Sequence, residues 1–133
     1  MLDSSVLIAW HNDRDAHHKA ATSTMGKVAA GKWGEALLPE YVFLETVTVV
    51  AARRGLSAAG EVARVILGAR DVEFVPCSPY FGRALDVFRT QRGTELSFAD
   101  SAIVAIARDR GAAHVATFDD DFRAVRGLAV VPA

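Results

Sequence analysis

The stretch Leu96–Phe122, LSFADSAIVAIARDRGAAHVATFDDDF, encodes a complete helix–strand unit. Apolar residues recur between positions 97 and 110 with the spacing of one helix face. Ser97 is a natural N-cap, and Gly111 is a natural helix stop. Residues 114–118, HVATF, are too few and too rich in β-branched side chains for another helix. The stretch therefore predicts a helix followed by a buried strand.

This unit should bring two carboxylates together. A helix that leads into a strand of the same sheet runs antiparallel to that strand, so the helix start and the strand end lie at one edge. Asp100 falls in the first helical turn, and Asp119 comes just after the strand. Ligands of α/β proteins bind at the edge where the parallel strands end. We therefore expect Asp100 and Asp119 to face a common site.

Length and composition limit the class of protein. A chain of 133 residues fits one domain, and 51% hydrophobic with 23% charged residues is an ordinary globular mixture. No apolar run is long enough for a membrane span, and the single Cys77 excludes an internal disulfide. A net charge of −1 does not by itself indicate a nucleic-acid partner. These features predict a soluble protein of the cytoplasm.

Short strands alternate with helices along the rest of the chain. We expect further strands at residues 1–2, 36–38, 72–75 and 128–131. A short helix should begin at Ser4 or Ser5, and longer helices should span residues 13–30, 40–54, 57–69 and 78–93, with a helical turn at 122–126. Asp15 and Ser57 are the predicted caps of the helices over 13–30 and 57–69. The alternation predicts a single α/β domain over residues 1–133, with a central, mainly parallel sheet covered by helices on both faces. Two residues are few for a central strand, so we expect a start slightly upstream or a frayed edge.

Glu45 is the only charged residue in the apolar segment Tyr41–Ala52. An unpaired buried carboxylate is costly, so Glu45 must meet a cation, hydrogen-bond donors or a cleft filled with solvent. It lies near the start of a helix that follows a strand, and Asp3 ends the first strand. Both residues therefore belong to the same edge as Asp100 and Asp119.

Four carboxylates at one edge repel one another unless protons or a divalent cation offset their charge. Ligand sets made only of oxygen suit Mg²⁺ or Mn²⁺ rather than zinc. Such an ion activates water and offsets charge on a phosphoryl group, as in metal-dependent phosphodiester cleavage. A metal-free ribonuclease would instead use a histidine acid–base pair. No histidine is placed for that role, because His114 lies at the other end of its strand and the remaining three lie at helix ends near the N-terminus: His11, His17 and His18.

Four motifs together resemble the PIN domain, and most closely the VapC-type toxins of bacterial toxin–antitoxin pairs. The motifs are Asp3-Ser4-Ser5 after the first strand, Glu45 in an apolar helix, Leu-Ser-Phe-Ala-Asp100 at a helix start, and Thr117-Phe-Asp119-Asp-Asp-Phe122 after a strand. The likeness covers the whole chain in order. It implies a Mg²⁺- or Mn²⁺-dependent endoribonuclease that hydrolyses RNA through metal-activated water, a homodimer, and a VapB-type antitoxin that inserts a segment into the active site.

The same resemblance assigns the site residues. It implies that the catalytic metal ligands are Asp3, Glu45, Asp100 and Asp119, that Ser5 and Thr117 supply supporting hydroxyls, and that Asp121 is a further candidate beside Asp119.

Structural explanations exist for most of these residues. Ser97 and Asp100 nearly form a capping box, Asp119 could cap the last helical turn, and Asp3 could be a turn residue. Four residues in the region of the second helix look like metal ligands in isolation, but a solvated helix start explains them better: Asp13, Asp15, His17 and His18. Arg53 and Arg54 could lie on the surface or touch RNA phosphates.

Two other functions compete with the nuclease. A phosphotransfer receiver would need an acid pair at the first strand and a late lysine, but Asp3 is followed by serines and no lysine occurs after Lys32. A catalytically inactive PIN-like scaffold that binds RNA or protein remains open. The presence of all four acids favours the enzyme, because a decayed site would more often have lost one.

Overall fold

Helices and short strands alternate along the chain, as the sequence pattern predicts. The computed structural model describes all 133 residues. In chain order the elements are α1 (Ser4–His11), α2 (His18–Ala29), β1 (Ala36–Pro39), α3 (Glu40–Arg54), α4 (Leu56–Leu67), β2 (Val72–Val75), a 3₁₀ turn (Ser78–Tyr80), α5 (Phe81–Thr90), α6 (Phe98–Arg110), β3 (His114–Ala116), a second 3₁₀ turn (Asp120–Ala124) and β4 (Ala129–Val131). None of the helices combines the length and the apolar character that crossing a bilayer requires.

The strands are parallel and are joined through the first residues of the chain. β1 pairs with β2, and β3 pairs with β4. Leu2 lies between the two pairs, because its N–H donates to the Leu37 carbonyl at 2.9 Å and it forms a parallel bridge with Ala116. The spatial order is therefore β2, β1, the Leu2 segment, β3 and β4. The predicted α/β architecture with parallel strands is confirmed.

Three chain segments leave the sheet at the same edge. Asp3 follows the central Leu2 segment and directly precedes α1, and Pro39 at the end of β1 leads without a loop into α3. Thr117 follows β3 and leads into the second 3₁₀ turn. Because the strands are parallel, their carboxyl ends meet at one edge, and the segments that carry the candidate acids start there.

The core is centred on α6. Every residue from Asp100 to Ala107 is buried, so this helix is covered on all sides rather than on one face. Its start is fixed by a capping box, and Gly111 ends it in the left-handed conformation with φ of 68°. The helix predicted for 97–110 is therefore correct almost to the residue.

Some predicted boundaries are wrong. The helix expected over residues 13–30 begins only at His18, because Asn12 Oδ1 accepts the Arg14 N–H and Asp15 Oδ1 accepts the His17 N–H. These bonds hold the backbone in turns that compete with helix formation. Asp15 thus fixes the approach to α2 and does not cap it.

Other errors lie at element ends. Ser57 does not cap α4, because that helix already begins at Leu56 directly after Gly55, and it ends at Leu67 instead of Ala69. The helix expected from residue 78 opens as the 3₁₀ turn Ser78–Tyr80 before α5 begins. Three smaller shifts occur near the C-terminus: β3 ends at Ala116, the last helical turn starts at Asp120, and β4 starts at Ala129.

Candidate active site

Asp3 is buried at the end of the central segment, with 3% of its surface exposed. Its Oδ2 accepts hydrogen bonds from Ser5 Oγ and Thr117 Oγ1, both at 2.7 Å. Its Oδ1 is buried and has no hydrogen-bond partner. Buried polar atoms nearly always have a partner, so this oxygen needs a ligand that the chain does not supply.

Ser5 and Thr117 connect Asp3 to the segment that follows β3. Ser5 Oγ accepts the N–H of Phe118 at 3.0 Å, and Thr117 Oγ1 accepts the N–H of Asp119 at 2.9 Å. Both hydroxyls thus contact the Asp3 carboxylate and also fix the backbone around Asp119. They hold two of the predicted acids in a defined relative position.

Glu45 faces the same edge from α3. Its side chain is half-buried, and its Oε2 is buried without a hydrogen-bond partner. Burial raises the pKa of Glu45, and the negative charges of Asp3, Asp100 and Asp119 raise it further, while the side chain of Ser4 lowers it. An electrostatic effect from each of the three other acids means that all four carboxylates share one region.

Asp100 is 9% exposed and has two roles in the structure. Its Oδ2 accepts the Ser97 N–H at 2.8 Å, and its own N–H donates to Ser97 Oγ at 3.1 Å, which completes the capping box. Burial raises the pKa of Asp100, as do the charges of Asp3 and Asp119, while the bonds to Ser97 lower it. The capping explanation is therefore correct, and it coexists with a place among the acids.

Asp119 also has a local bond, because its Oδ1 accepts the N–H of Asp121 at 2.9 Å and caps the second 3₁₀ turn. Asp121 points elsewhere: its Oδ2 accepts the Glu95 N–H at 3.3 Å. The charge of Asp121 is not among those that raise the pKa of Glu45 or Asp100. The structure thus brings Asp119 to the other acids and uses Asp121 to tie the turn to the loop before α6.

No cationic side chain is paired with these four acids. The ion pairs of the chain lie elsewhere: Arg83–Asp109, Arg89–Asp86, Arg110–Glu73 and Arg123–Asp120. The four acids therefore form an uncompensated negative site. Burial is the main cause of the raised pKa values of Glu45 and Asp100, and the charges of the neighbouring acids add to it.

The donor set fits a hard divalent cation in chemistry, but its oxygens are not arranged around one point. No three acidic, histidine or cysteine side chains are close enough to form a ready metal centre. Asp100 and Asp119 each commit one oxygen to a cap, which leaves their second oxygens. Asp3 Oδ1 and Glu45 Oε2 are unpartnered, and hard oxygen atoms of this kind suit a divalent cation.

His17 is a neighbour of the site that the sequence did not indicate. Its ring stacks on Phe118 with centroids 4.4 Å apart and planes 17° apart. The contact joins the turn before α2 to the segment between Thr117 and Asp119, and it has no signal in a local pattern. His17 is exposed, as expected for a solvated helix start, and it also contacts the segment that carries Asp119.

A cleft lies at the opposite edge of the sheet. It has a volume of about 460 Å³ and is lined by Met1, Trp33, Glu35, Arg110 and His114 among others. None of the four acids lines it. The four acids therefore lie outside this cleft.

Comparison with known proteins decides the family. The model of the PIN domain family matches residues 1–128. The chain belongs to the PIN domain family. This PIN domain is similar in structure to VapC20 of Mycobacterium tuberculosis, described as a toxin that cleaves the sarcin–ricin loop. The identity is 25%, the TM-score is 0.80, and 92% of each chain is covered.

A second solved structure has the same fold. It is VapBC2 of Rickettsia felis bound to a DNA fragment from its promoter, with 16% identity, a TM-score of 0.69 and coverage of 98% of this PIN domain and 95% of that chain. No curated protein matches the sequence. The sequence-based recognition of a VapC-type PIN domain is confirmed.

Proposed function

We propose that this PIN domain is a metal-dependent endoribonuclease, the toxin of a VapBC-type toxin–antitoxin pair. The observation that carries the proposal is the pair of buried oxygens without a partner, Asp3 Oδ1 and Glu45 Oε2, within a set of four acids that no cation compensates. Hard oxygen donors with this excess of negative charge are the ligands that Mg²⁺ and Mn²⁺ prefer.

Asp3, Glu45, Asp100 and Asp119 would hold the ion. A bound Mg²⁺ or Mn²⁺ lowers the pKa of a water ligand and offsets negative charge on a phosphodiester. The chain itself supplies orientation: Ser5 and Thr117 fix one oxygen of Asp3, and so direct the other away from both hydroxyls. The Ser97 cap holds Asp100 at the start of α6. Orientation by such neighbours is what keeps metal ligands in place.

The substrate and the partners follow from the same proposal. VapC20 is described as cleaving the sarcin–ricin loop, so RNA is the proposed substrate class. The R. felis structure is a VapBC complex, which supports a VapB-type antitoxin as partner. A homodimer is proposed because α5 exposes an apolar stripe made of Phe81, Leu85 and Phe88. A cytoplasmic location is proposed with them, where RNA and the antitoxin are available.

Substitution of Asp100 by Asn tests the metal site. The amide oxygen of Asn can still accept the Ser97 N–H, whereas the buried charge disappears. We expect the metal-free melting temperature of Asp100→Asn to equal or exceed that of the wild type, because like-charge repulsion is relieved. We also expect the stabilisation by Mn²⁺ and the cleavage of RNA to be lost. Thermal unfolding with and without Mn²⁺, and an assay on total RNA and on a sarcin–ricin hairpin, measure both effects.

Asp109→Asn is the matched control on the same helix. Asp109 accepts bonds from Tyr80 and Arg83 and lies far from the acids along α6, so this variant should keep the response to Mn²⁺. If Asp100 serves only as a cap, Asp100→Asn should instead lower stability by up to about 1 kcal/mol and leave the Mn²⁺ response intact. That result would contradict the proposed metal site.

The second candidate is a catalytically inactive PIN scaffold that binds RNA or protein. It is favoured by the local caps that occupy one oxygen each of Asp100 and Asp119 and by the lack of a ready ligand cluster. Purified protein, free of antitoxin, separates the two candidates. Cleavage of any RNA in Mn²⁺ that Asp100→Asn abolishes supports the enzyme, while binding without cleavage across total RNA supports the scaffold.

A further inference from the structure

His17 presents a flat, exposed ring beside the acid site. The imidazole is nearly parallel to Phe118, at 4.4 Å between centroids, and His17 is exposed while Phe118 is half-buried. One face of the imidazole is therefore covered by Phe118. The other face is open to solvent.

The backbone under this ring is fixed on both sides. The His17 N–H donates to Asp15 Oδ1 at 2.8 Å, and the next ring, His18, hydrogen-bonds through Nδ1 to the Ala9 carbonyl at 2.9 Å. His18 thus anchors the turn to α1 and leaves His17 to face outwards. The position of the His17 ring is set before any ligand arrives.

Phe118 is equally well placed. It lies between Thr117 and Asp119, and its N–H donates to Ser5 Oγ. The stacked pair is therefore attached to the hydroxyl network that holds Asp3. An RNA whose scissile phosphate lies at the acids would carry its neighbouring nucleotide within reach of this pair.

We propose that the open face of His17 stacks an unpaired RNA base next to the scissile phosphate, so that base, imidazole and Phe118 form one continuous stack. This inference rests on the proposed ribonuclease function. Proteins that bind single-stranded RNA stack bases on aromatic or histidine rings, and such contacts tolerate any base because each has a π-face. His17 thereby selects unpaired RNA over duplex.

Two substitutions separate stacking from other roles of His17. His17→Phe keeps an aromatic face and removes both ring nitrogens, whereas His17→Ala removes the face. We expect His17→Ala to weaken binding of a short, fluorescein-labelled RNA of randomised sequence by about tenfold, and His17→Phe to bind within about twofold of the wild type. Fluorescence anisotropy is measured with the four acids intact and with Ca²⁺ in place of Mn²⁺, so that the acid site is unaltered and no RNA is cut.

A second probe tests the base itself. The same oligonucleotide length made with abasic residues keeps the phosphates and lacks the bases, so the difference between wild type and His17→Ala should vanish on it. His114→Ala is the matched control: His114 also faces an aromatic ring, Trp33, but at the opposite edge of the sheet. It should leave RNA binding unchanged.

Three results would overturn the stacking role: equal loss in His17→Phe and His17→Ala, undiminished binding by His17→Ala, or a loss that persists on the abasic probe. Failure of the proposed ribonuclease function is a different observation. It appears as wild-type protein that cuts no RNA in Mn²⁺, whereas failure of the stacking role leaves wild-type cleavage in place.

Discussion

A carboxylate at the edge of the sheet where the four acids lie can stabilise the fold and also take part in the site, because it has two oxygens. Asp100 shows this: one oxygen completes the capping box of α6, and the side chain still lies close enough to Asp3 and Asp119 for their charges to raise its pKa. Asp3 shows it too, with Oδ2 bonded to two hydroxyls and Oδ1 unpartnered. A structural role for an acid is therefore no argument against a functional one.

The raised pKa of Glu45 predicts an unusual pH dependence for the metal-free protein. Burial and then the charges of Asp3 and Asp100 raise this pKa, so the folded state binds the proton more tightly than the unfolded state. The free-energy cost of holding the ionised Glu45 carboxylate in the folded protein is fully present at pH values above the pKa of the folded state. It disappears as the pH falls through that pKa to the ordinary value of 4.5. Urea unfolding at a series of pH values should show Glu45→Gln more stable than wild type at neutral pH, with the difference shrinking towards pH 4.5.

The difference in stability between the wild type and Glu45→Gln isolates the effect of the Glu45 charge. Burial lowers the pKa of the Met1 amino group to about 6, so the cost of charging this group appears as the pH falls and lowers stability, which is opposite to the effect at Glu45. Both proteins carry that group, and it cancels in the difference. A difference that stays constant over the whole pH range would show that Glu45 lies outside the negative site.

At the scale of helices and strands, the sequence predicts those bounds that are set by residues at the element ends. The bounds of α3 (Glu40–Arg54) and β2 (Val72–Val75) agree with the pattern to the residue, because Pro39 and Gly55 mark the helix ends and β-branched residues mark the strand. The start of α2 could not be predicted in this way. Side-chain bonds from Asn12 and Asp15 override the helical pattern there, and their geometry is not visible in a periodicity.

Contacts between elements that are distant in sequence are the second feature that is hard to predict from the sequence. The rim of four acids could be predicted, because parallel strands bring their ends to one edge and each acid follows or nearly follows a strand. The stacking of His17 on Phe118 could not, since it depends on how the turn before α2 packs over the end of β3. The same holds for Asp121, whose bond to the Glu95 N–H joins two loops.

Gly55 gives a prediction at this scale. It joins α3 to α4 with φ of 89° and ψ of 170°, a conformation that is essentially restricted to glycine. Gly55→Ala should destabilise the protein by about 1–3 kcal/mol. Gly60→Ala is the control, because Gly60 lies inside α4 and an added Cβ meets nothing within 4 Å. It should stabilise by about 0.5–1 kcal/mol, measured by urea unfolding. Equal signs for the two variants would contradict the assigned role of Gly55.

At the scale of the whole molecule, the most conspicuous surface is an apolar stripe on α5. Phe81, Leu85 and Phe88 recur with helical spacing and are 52%, 42% and 43% exposed. Both phenylalanine rings lie against Phe98, at 5.4 and 5.8 Å between centroids. Phe98 lies in the first turn of α6, two residues before Asp100. The stripe thus extends to the start of α6 through Phe98.

A second copy of the chain that covers this stripe is the homodimer of the proposed function, and Leu85 at its centre tests it. A charge there would have to be desolvated in the interface, so Leu85→Glu should raise the dimer dissociation constant by more than about tenfold. Light scattering coupled to gel filtration should give twice the chain mass of 14.2 kDa for the wild type and the single mass for the variant. Leu67→Glu is the control, since Leu67 is 60% exposed on α4. A wild type of single mass, or dissociation by Leu67→Glu instead, would assign the α5 stripe to another partner.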